Sequence, residues 1–134
     1  LKFQESDIAF DFKKLLAGEC DLIGGIISGM TGLVHIKKRK YEAAIECLKR
    51  MQAIAYSYFS AEHQLIGRSF FGIGIANTGL GKSEKNIQYQ LKAINIYKKS
   101  LGENHQDIAD CYHNLGSAYR SEGKYEQAKE NYQK

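Results

Sequence analysis

The apolar positions at the C-terminal end of the chain recur at helical spacing. Between Ala109 and Lys134, Tyr112, Leu115, Gly116 and Tyr119 return every three to four residues, Gly123 interrupts them, and Tyr125, Ala128 and Tyr132 take up the same rhythm again. Such a stripe lies along one face of an α-helix and glycine readily ends one, so the segment predicts two helices that meet at a tight turn with their apolar faces together. The same landmarks return upstream at one interval. Gly116, Gly74 and Gly32 are each 42 residues apart, and Gly123-Lys124-Tyr125 falls on Gly81-Lys82-Ser83 and then on Arg39-Lys40-Tyr41. Leu101-Gly102-Glu103 falls likewise on Phe59-Ser60-Ala61 and Ala17-Gly18-Glu19. A helical hairpin cannot bury its apolar face alone, so hairpins repeated at a fixed period stack on one another.

That period predicts an all-α chain of about seven helices in a single domain, 1–134. Residues 1–17, with Ile8, Phe12, Leu15 and Leu16 as a stripe, read as the second helix of a truncated preceding unit. Units follow over 20–61, 62–103 and 104–134, the last incomplete. The inward positions are Tyr41, Ala44, Ile45, Leu48 and Met51 in the helix 41–58, Phe70, Ile73 and Gly74 in 62–80, and Ile87, Leu91, Ile94 and Tyr97 in 83–99. The helix 20–37 is unusual: Gly24, Gly25, Gly29 and Gly32 each disfavour a helix interior by about 1 kcal/mol against alanine. Close approach of a neighbouring helix would offset that cost; a broken helix is the other reading.

The aromatic, leucine, glycine, tyrosine, alanine and aromatic at Tyr112, Leu115, Gly116, Tyr119, Ala128 and Tyr132 resemble the tetratricopeptide repeat. Repeats of that family are commonly about 34 residues long. The longer interval here is similar to the kinesin light chain branch, as is the connector Ile96 to Ala109, although Gln106 stands where such connectors commonly carry proline. The resemblance runs from Ile87 to Lys134 and, more loosely, from Lys40 to Met51. It implies a right-handed α-solenoid of antiparallel helix pairs, a TPR-like superhelix, serving as a non-enzymatic protein-interaction scaffold. It also implies a concave groove lined by the first helix of each pair: Asp110, His113, Ser117 and Arg120 in the last unit, Arg68, Phe71, Ile75 and Thr78 in the middle one, Ile26, Gly29, Leu33 and Ile36 in the first. Asn114 matches one of the groove asparagines of the kinesin light chain repeats. The Lys, Asn and Arg set with which chaperone-binding members hold a terminal carboxylate is not reproduced, since Gly29 and Leu33 occupy two of its places. A groove that grades from apolar to polar suits a peptide or partner helix with an apolar anchor, with Phe71 and Ile75 as its hot spot between Arg68 and Arg120. Ile26, Leu33 and Ile36 are core instead if the first helix is rotated.

Composition changes this picture little. The chain has no proline, nine tyrosines, six phenylalanines and 25% charged residues, which fits a folded protein with uninterrupted helices. A net charge of +4 permits an acidic partner without requiring one, and Lys37, Lys38, Arg39 and Lys40 read as a solvated turn. Three cysteines without CxxC spacing fit a reducing, cytoplasmic setting better than a disulfide framework or a zinc site. No stretch approaches the ~20 apolar residues of a membrane helix. Inner-face positions that differ from unit to unit argue against nucleic acid, and no cofactor is expected. A chain that opens at Leu1 and stops inside an apolar pattern is expected to be a fragment of a larger adaptor, sensor or regulatory protein, with self-association through its truncated ends. Cys111 and His113 are two apart and cannot share a metal. Ala76 to Ser83 matches the permissive phosphate-loop pattern, which makes a nucleotide-binding unit using Lys82 and Ser83 the alternative function. A helical pattern stands before that match where a strand is needed.

Overall fold

A computed structural model of the chain describes residues 24–134, which form six helices and no strand. Helix α1 occupies 24–37, followed by α2 (Tyr41–Tyr58), α3 (Gln64–Gly79), α4 (Ser83–Leu101), α5 (Gln106–Ser121) and α6 (Tyr125–Tyr132). From α2 onward each helix packs on the next in sequence, and α3 also touches α5. Short connections between consecutive packed helices give antiparallel pairs, and the pairs stack into an all-α solenoid. The helix expected over 1–17 lies outside the described residues.

The 42-residue interval reappears as geometry. Arg39, Gly81 and Gly123, at φ of 59°, 79° and 76°, reverse the chain after α1, α3 and α5. One residue later the N–H of Lys40, Lys82 and Lys124 reaches back to the carbonyls of His35, Asn77 and Tyr119, each at 2.8 Å. A left-handed residue closed by such a six-residue bond satisfies helix-end carbonyls that would otherwise lack donors. The opposite ends repeat as well: His63 and His105 cap α3 and α5, their Nδ1 atoms accepting the N–H of Leu65 and of Asp107 at 3.1 Å. These two caps share the period, yet the apolar pattern gave no sign of them.

Within each pair, a glycine on the first helix receives a side chain from the second. A Cβ at Gly32 would fall 2.9 Å from Leu48 Cγ, at Gly74 2.7 Å from Gln90 Nε2, and at Gly116 2.7 Å from Tyr132 Cδ1. Leu48, Gln90 and Tyr132 are themselves 42 residues apart. The glycine-rich α1 is continuous helix over 24–37, and Gly25, Gly29 and Gly32 seat Ile54, Met51 and Leu48 of α2 in turn. Close packing is therefore what offsets three of its four glycines; a Cβ at Gly24 would meet nothing within 4 Å among the described residues.

Among the described residues, three apolar clusters make up the core. Leu48, Met51 and Ile73 form the first, Ala55, Ile66 and Ile96 the second. The third is the largest, joining Ile87, Ile94 and Tyr97 of α4 to Ile108, Cys111 and Leu115 of α5. One inward assignment needs correction: Leu91 is 51% exposed, and Gln90 is fully buried in its stead. Asn86, Ile87, Gln90, Ile94 and Tyr97 share the buried face of α4, and position 90 lies at its centre with position 91 about 100° away. The Gln90 amide nitrogen donates to the Phe71 carbonyl at 3.0 Å and to Asn86 Oδ1 at 2.9 Å, while its Oε1 is buried with no partner.

Candidate functional site

Leu48 separates α1 from α3. Its Cγ lies against Gly32 and its Cδ1 against Gly72, so the two helices flank one α2 side chain. Over it opens a cleft of about 260 Å³, whose α1 wall is Ile26, Gly29, Met30 and Leu33. Leu48 and Met51 form its floor, and Leu65, Arg68 and Phe71 of α3 face α1 across it. Tyr97 of α4 and Asp107 of α5 complete one end. The apolar wall is open to solvent: Ile26, Met30 and Leu33 are 41%, 63% and 48% exposed. Of the three first-unit isoleucine and leucine positions that could have been groove or core, Ile26 and Leu33 face the cleft, and Ile36 packs against the Leu48 and Ile73 cluster.

The residues expected to line one groove divide between two places. Arg68 and Phe71 are in the cleft, Arg68 exposed and Phe71 half-buried with its ring also against the α4–α5 core. Ile75 is half-buried and stands outside the cleft lining, and Thr78 is exposed near the end of α3 with its hydroxyl donating to the Gly74 carbonyl at 3.5 Å. In the last unit His113, Ser117 and Arg120 gather around Tyr132: the His113 ring lies 5.4 Å from that of Tyr132, Ser117 Oγ is 3.1 Å from its hydroxyl, and Arg120 shares a shallow surface pocket with both Ser117 and Tyr132. Asp110 accepts the Gln106 side-chain amide at 3.0 Å, and Asn114 donates to the Asp110 carbonyl at 2.9 Å. The cleft residues that sequence reasoning missed are Met30, Leu65 and Asp107. Leu65 and Asp107 are one period apart, so the repeat itself could have placed them together.

Asp107 is the unusual member. Its Oδ2 is buried and accepts no hydrogen bond. It lies 3.6 Å from His105 Nδ1, but that nitrogen already accepts the Asp107 backbone N–H. The carboxylate is felt by its neighbours. The Cys111 thiol is pushed up to about 12, by burial first and then by Asp107 and Asp110, so it stays protonated and unreactive at neutral pH. The Tyr97 hydroxyl is likewise raised, by burial and then by Cys111 and Asp107, with Arg68 acting the other way.

The phosphate-loop match is part of a helix turn. Ala76–Gly79 close α3, and the N–H groups of the turn are engaged: Leu80 donates to the Ala76 carbonyl, Gly81 to Thr78 and Lys82 to Asn77. A phosphate cradle needs those donors free at the end of a strand. The Asn77 side chain is turned inward as well, donating to the Ile73 carbonyl at 2.8 Å.

Comparison with known proteins agrees with this geometry. Residues 80–134 match the family model described as tetratricopeptide repeat. The structure is similar to the crystal structure of the TPR domain of Arabidopsis FLU, at 22% identity and a TM-score of 0.73, over 87% of this chain and 92% of that one. It is similar also to two crystal structures of nearly identical TPR-like repeats of a Podosopora anserina putative kinesin light chain, at 20% identity and TM-scores of 0.63 and 0.61, over 79% of this chain and 50% of those. No curated protein sequence matches significantly. Domains of this fold are in general protein-interaction scaffolds and typically non-catalytic. Residues 80–134 thus match the tetratricopeptide repeat, and the described helices share the fold of a TPR domain.

Proposed function

We propose that this chain is the protein-interaction module of a larger adaptor, sensor or regulatory protein, and that it seats a peptide or partner helix in the cleft between α1 and α3. The observation that carries this reading is the open apolar wall of Ile26, Met30 and Leu33 facing Arg68 and Phe71 over a floor of Leu48 and Met51. Exposed apolar side chains grouped in a concavity with an arginine at the edge are the composition of a binding hot spot. Leu91 is as exposed as Leu33 but stands away from the cleft, so it supplies the control.

Selection from a library of short random peptides tests the reading. Selected peptides should lose at least about 10-fold in affinity on Leu33→Ser and on Phe71→Ser, as expected when a central apolar contact is removed. Leu91→Ser should leave them unchanged, and the far-ultraviolet circular dichroism of all three variants should match the parent chain. Peptides that bind the parent and both cleft variants equally, or a selection that enriches nothing over the Leu33→Ser protein, overturn it.

A further inference from the structure

The backbone N–H groups held by the two histidine caps belong to Leu65 and Asp107, and both residues line the cleft. A backbone N–H can only donate, so each of these 3.1 Å bonds requires an unprotonated Nδ1, on His63 and on His105. Histidine is the side chain that changes charge between about pH 5 and 8. A proton added at Nδ1 turns the acceptor into a donor, frees the N–H it held and sets a cation against the positive end of the helix dipole.

The two caps differ in what the new donor would meet. Beside His105, Asp107 Oδ2 is buried without a hydrogen bond, 3.6 Å from Nδ1; beside His63 the same place is taken by Leu65. An imidazolium at His105 can turn its new N–H onto that oxygen, in a charge-assisted bond that also satisfies a buried acceptor. At His63 no such gain is offered: its ring is stacked on Phe59 at 4.0 Å, and the acid next to it, Glu62, is tied to Lys99 of α4 at 3.1 Å. The other charged groups near His105 are Glu103 of the same connector and Lys134 beyond α6, which share a surface pocket with it. Asp107 shares the cleft with Arg68 of α3 and Tyr97 of α4, and its charge, with that of Asp110, reaches Tyr97 and Cys111.

We propose that His63 and His105 make the cleft pH-sensitive along one wall: acidification uncaps α3 and loosens Leu65, while at α5 the proton is taken up in an ion pair between His105 and Asp107 that holds the helix start. The effect on a bound peptide rests on the cleft being the binding site; the change in the caps does not. The other two histidines, His35 and His113, lie inside α1 and α5 and cap neither helix.

Ile66 and Gly67 donate to the His63 carbonyl, and Ile108 and Ala109 to that of His105, so these amides report each helix start. Their protection factors, measured by NMR between about pH 8 and 5, test the caps without any peptide. Protection at Ile66 and Gly67 should fall about 5-fold on acidification, the scale of a lost N-cap, and that at Ile108 and Ala109 should change by less than about 2-fold. His63→Asn, which caps without titrating, should abolish the fall. Asp107→Leu, which copies α3, should make Ile108 and Ala109 lose protection as the α3 pair does. Circular dichroism at about pH 8 that matches the parent shows that both variants fold. Protection at Ile66 and Gly67 that ignores pH, or that falls equally in His63→Asn, overturns the α3 cap. A comparable fall at Ile108 and Ala109 in the parent chain, or none in Asp107→Leu, overturns the exchange at α5. For the cleft, a selected peptide lacking Asp, Glu and His should bind about 5-fold more weakly at the acid end of this range, and equally at both ends in His63→Asn. Affinity that ignores pH while protection falls overturns the link between caps and cleft, whereas a peptide indifferent to Leu33→Ser and Phe71→Ser overturns the cleft reading itself.

Discussion

The ring of Tyr132 closes over Gly116, leaving no space for a Cβ: one placed there would meet Tyr132 Cδ1 and Cε1 at 2.7 Å. Tyr132 is 43% exposed and can swing outward, whereas its counterpart over Gly32, Leu48, is fully buried between two helices. Gly116→Leu should therefore cost about 1 kcal/mol and Gly32→Leu about 3 kcal/mol, the two ends of the range for overpacking. Thermal denaturation of the two variants checks the order, and the reverse order would show that the pairs are not equivalent contacts.

Arg39 stands at φ 59° where the equivalent turns carry Gly81 and Gly123. A left-handed conformation costs a side-chain-bearing residue roughly 1–2 kcal/mol, offset in part by the lower unfolded-state entropy of a non-glycine residue. Arg39→Gly should stabilise the chain by about 0.5–1 kcal/mol, and Gly81→Ala should destabilise it by about 1 kcal/mol. Urea unfolding with an unchanged m-value is the measurement; a loss of stability in Arg39→Gly would mean that the arginine side chain makes a contact the turn geometry does not reveal.

How far the sequence discloses this molecule depends on whether local rules set the feature. The turns at Arg39, Gly81 and Gly123 and the glycine contacts at positions 32, 74 and 116 were legible because a positive φ and a close helix approach both favour glycine and recur at one interval. The exchange of Gln90 for Leu91 was not, because side-chain polarity was read as exposure and a buried amide can bond a helix carbonyl. The cleft was legible by half: Arg68 and Phe71 were named from their register, whereas Leu65 and Asp107 were passed over although they stand one period apart, because a residue in the first turn of a helix adds nothing to the apolar stripe that was followed. His113 and Ser117 meet Tyr132, a contact that depends on where the α6 ring falls and that no spacing rule anticipates.

Cys111 makes the chain sensitive to alkali. Its folded thiol is raised from the ordinary value near 9 to about 12, so below pH 9 the folded and unfolded chains are both protonated and stability is full. Above pH 9 the unfolded chain loses the proton while the folded one keeps it, and stability falls by about 1.4 kcal/mol per pH unit until pH 12. Tyr97 acts in the same direction at higher pH. Ser69 occupies the equivalent position one unit earlier, its hydroxyl donating to the Ile66 carbonyl at 2.6 Å, so Cys111→Ser should fold and should flatten the early part of the alkaline decline. Urea midpoints between about pH 8 and 11 for the two chains decide it, and parallel curves would assign the decline to other groups.

The last prediction concerns the polar core of the middle pair. Asn86 and Gln90 take the places that Ala44 and Leu48 hold in the first pair and Ala128 and Tyr132 in the third. The two amides bond each other at 2.9 Å, and Gln90 reaches the Phe71 carbonyl, yet Gln90 Oε1 is left buried with no donor. An unsatisfied buried acceptor costs about 1–3 kcal/mol, whereas removing a whole polar set for apolar groups of similar shape is near neutral or stabilising. The double change Asn86→Ala with Gln90→Leu, which copies the first pair, should thus raise the stability of the chain by about 1 kcal/mol, since Leu48 already shows that a leucine fits over a helix-interior glycine at this position. Asn86→Ala alone should do the opposite, because it strips one of the two acceptors from the Gln90 amide nitrogen and leaves Oε1 as it was. Calorimetric unfolding of the two variants gives the signs. A double variant less stable than the parent would show that the amide pair sets the helix register rather than merely occupying the core, and that the middle pair packs by a different rule from its neighbours.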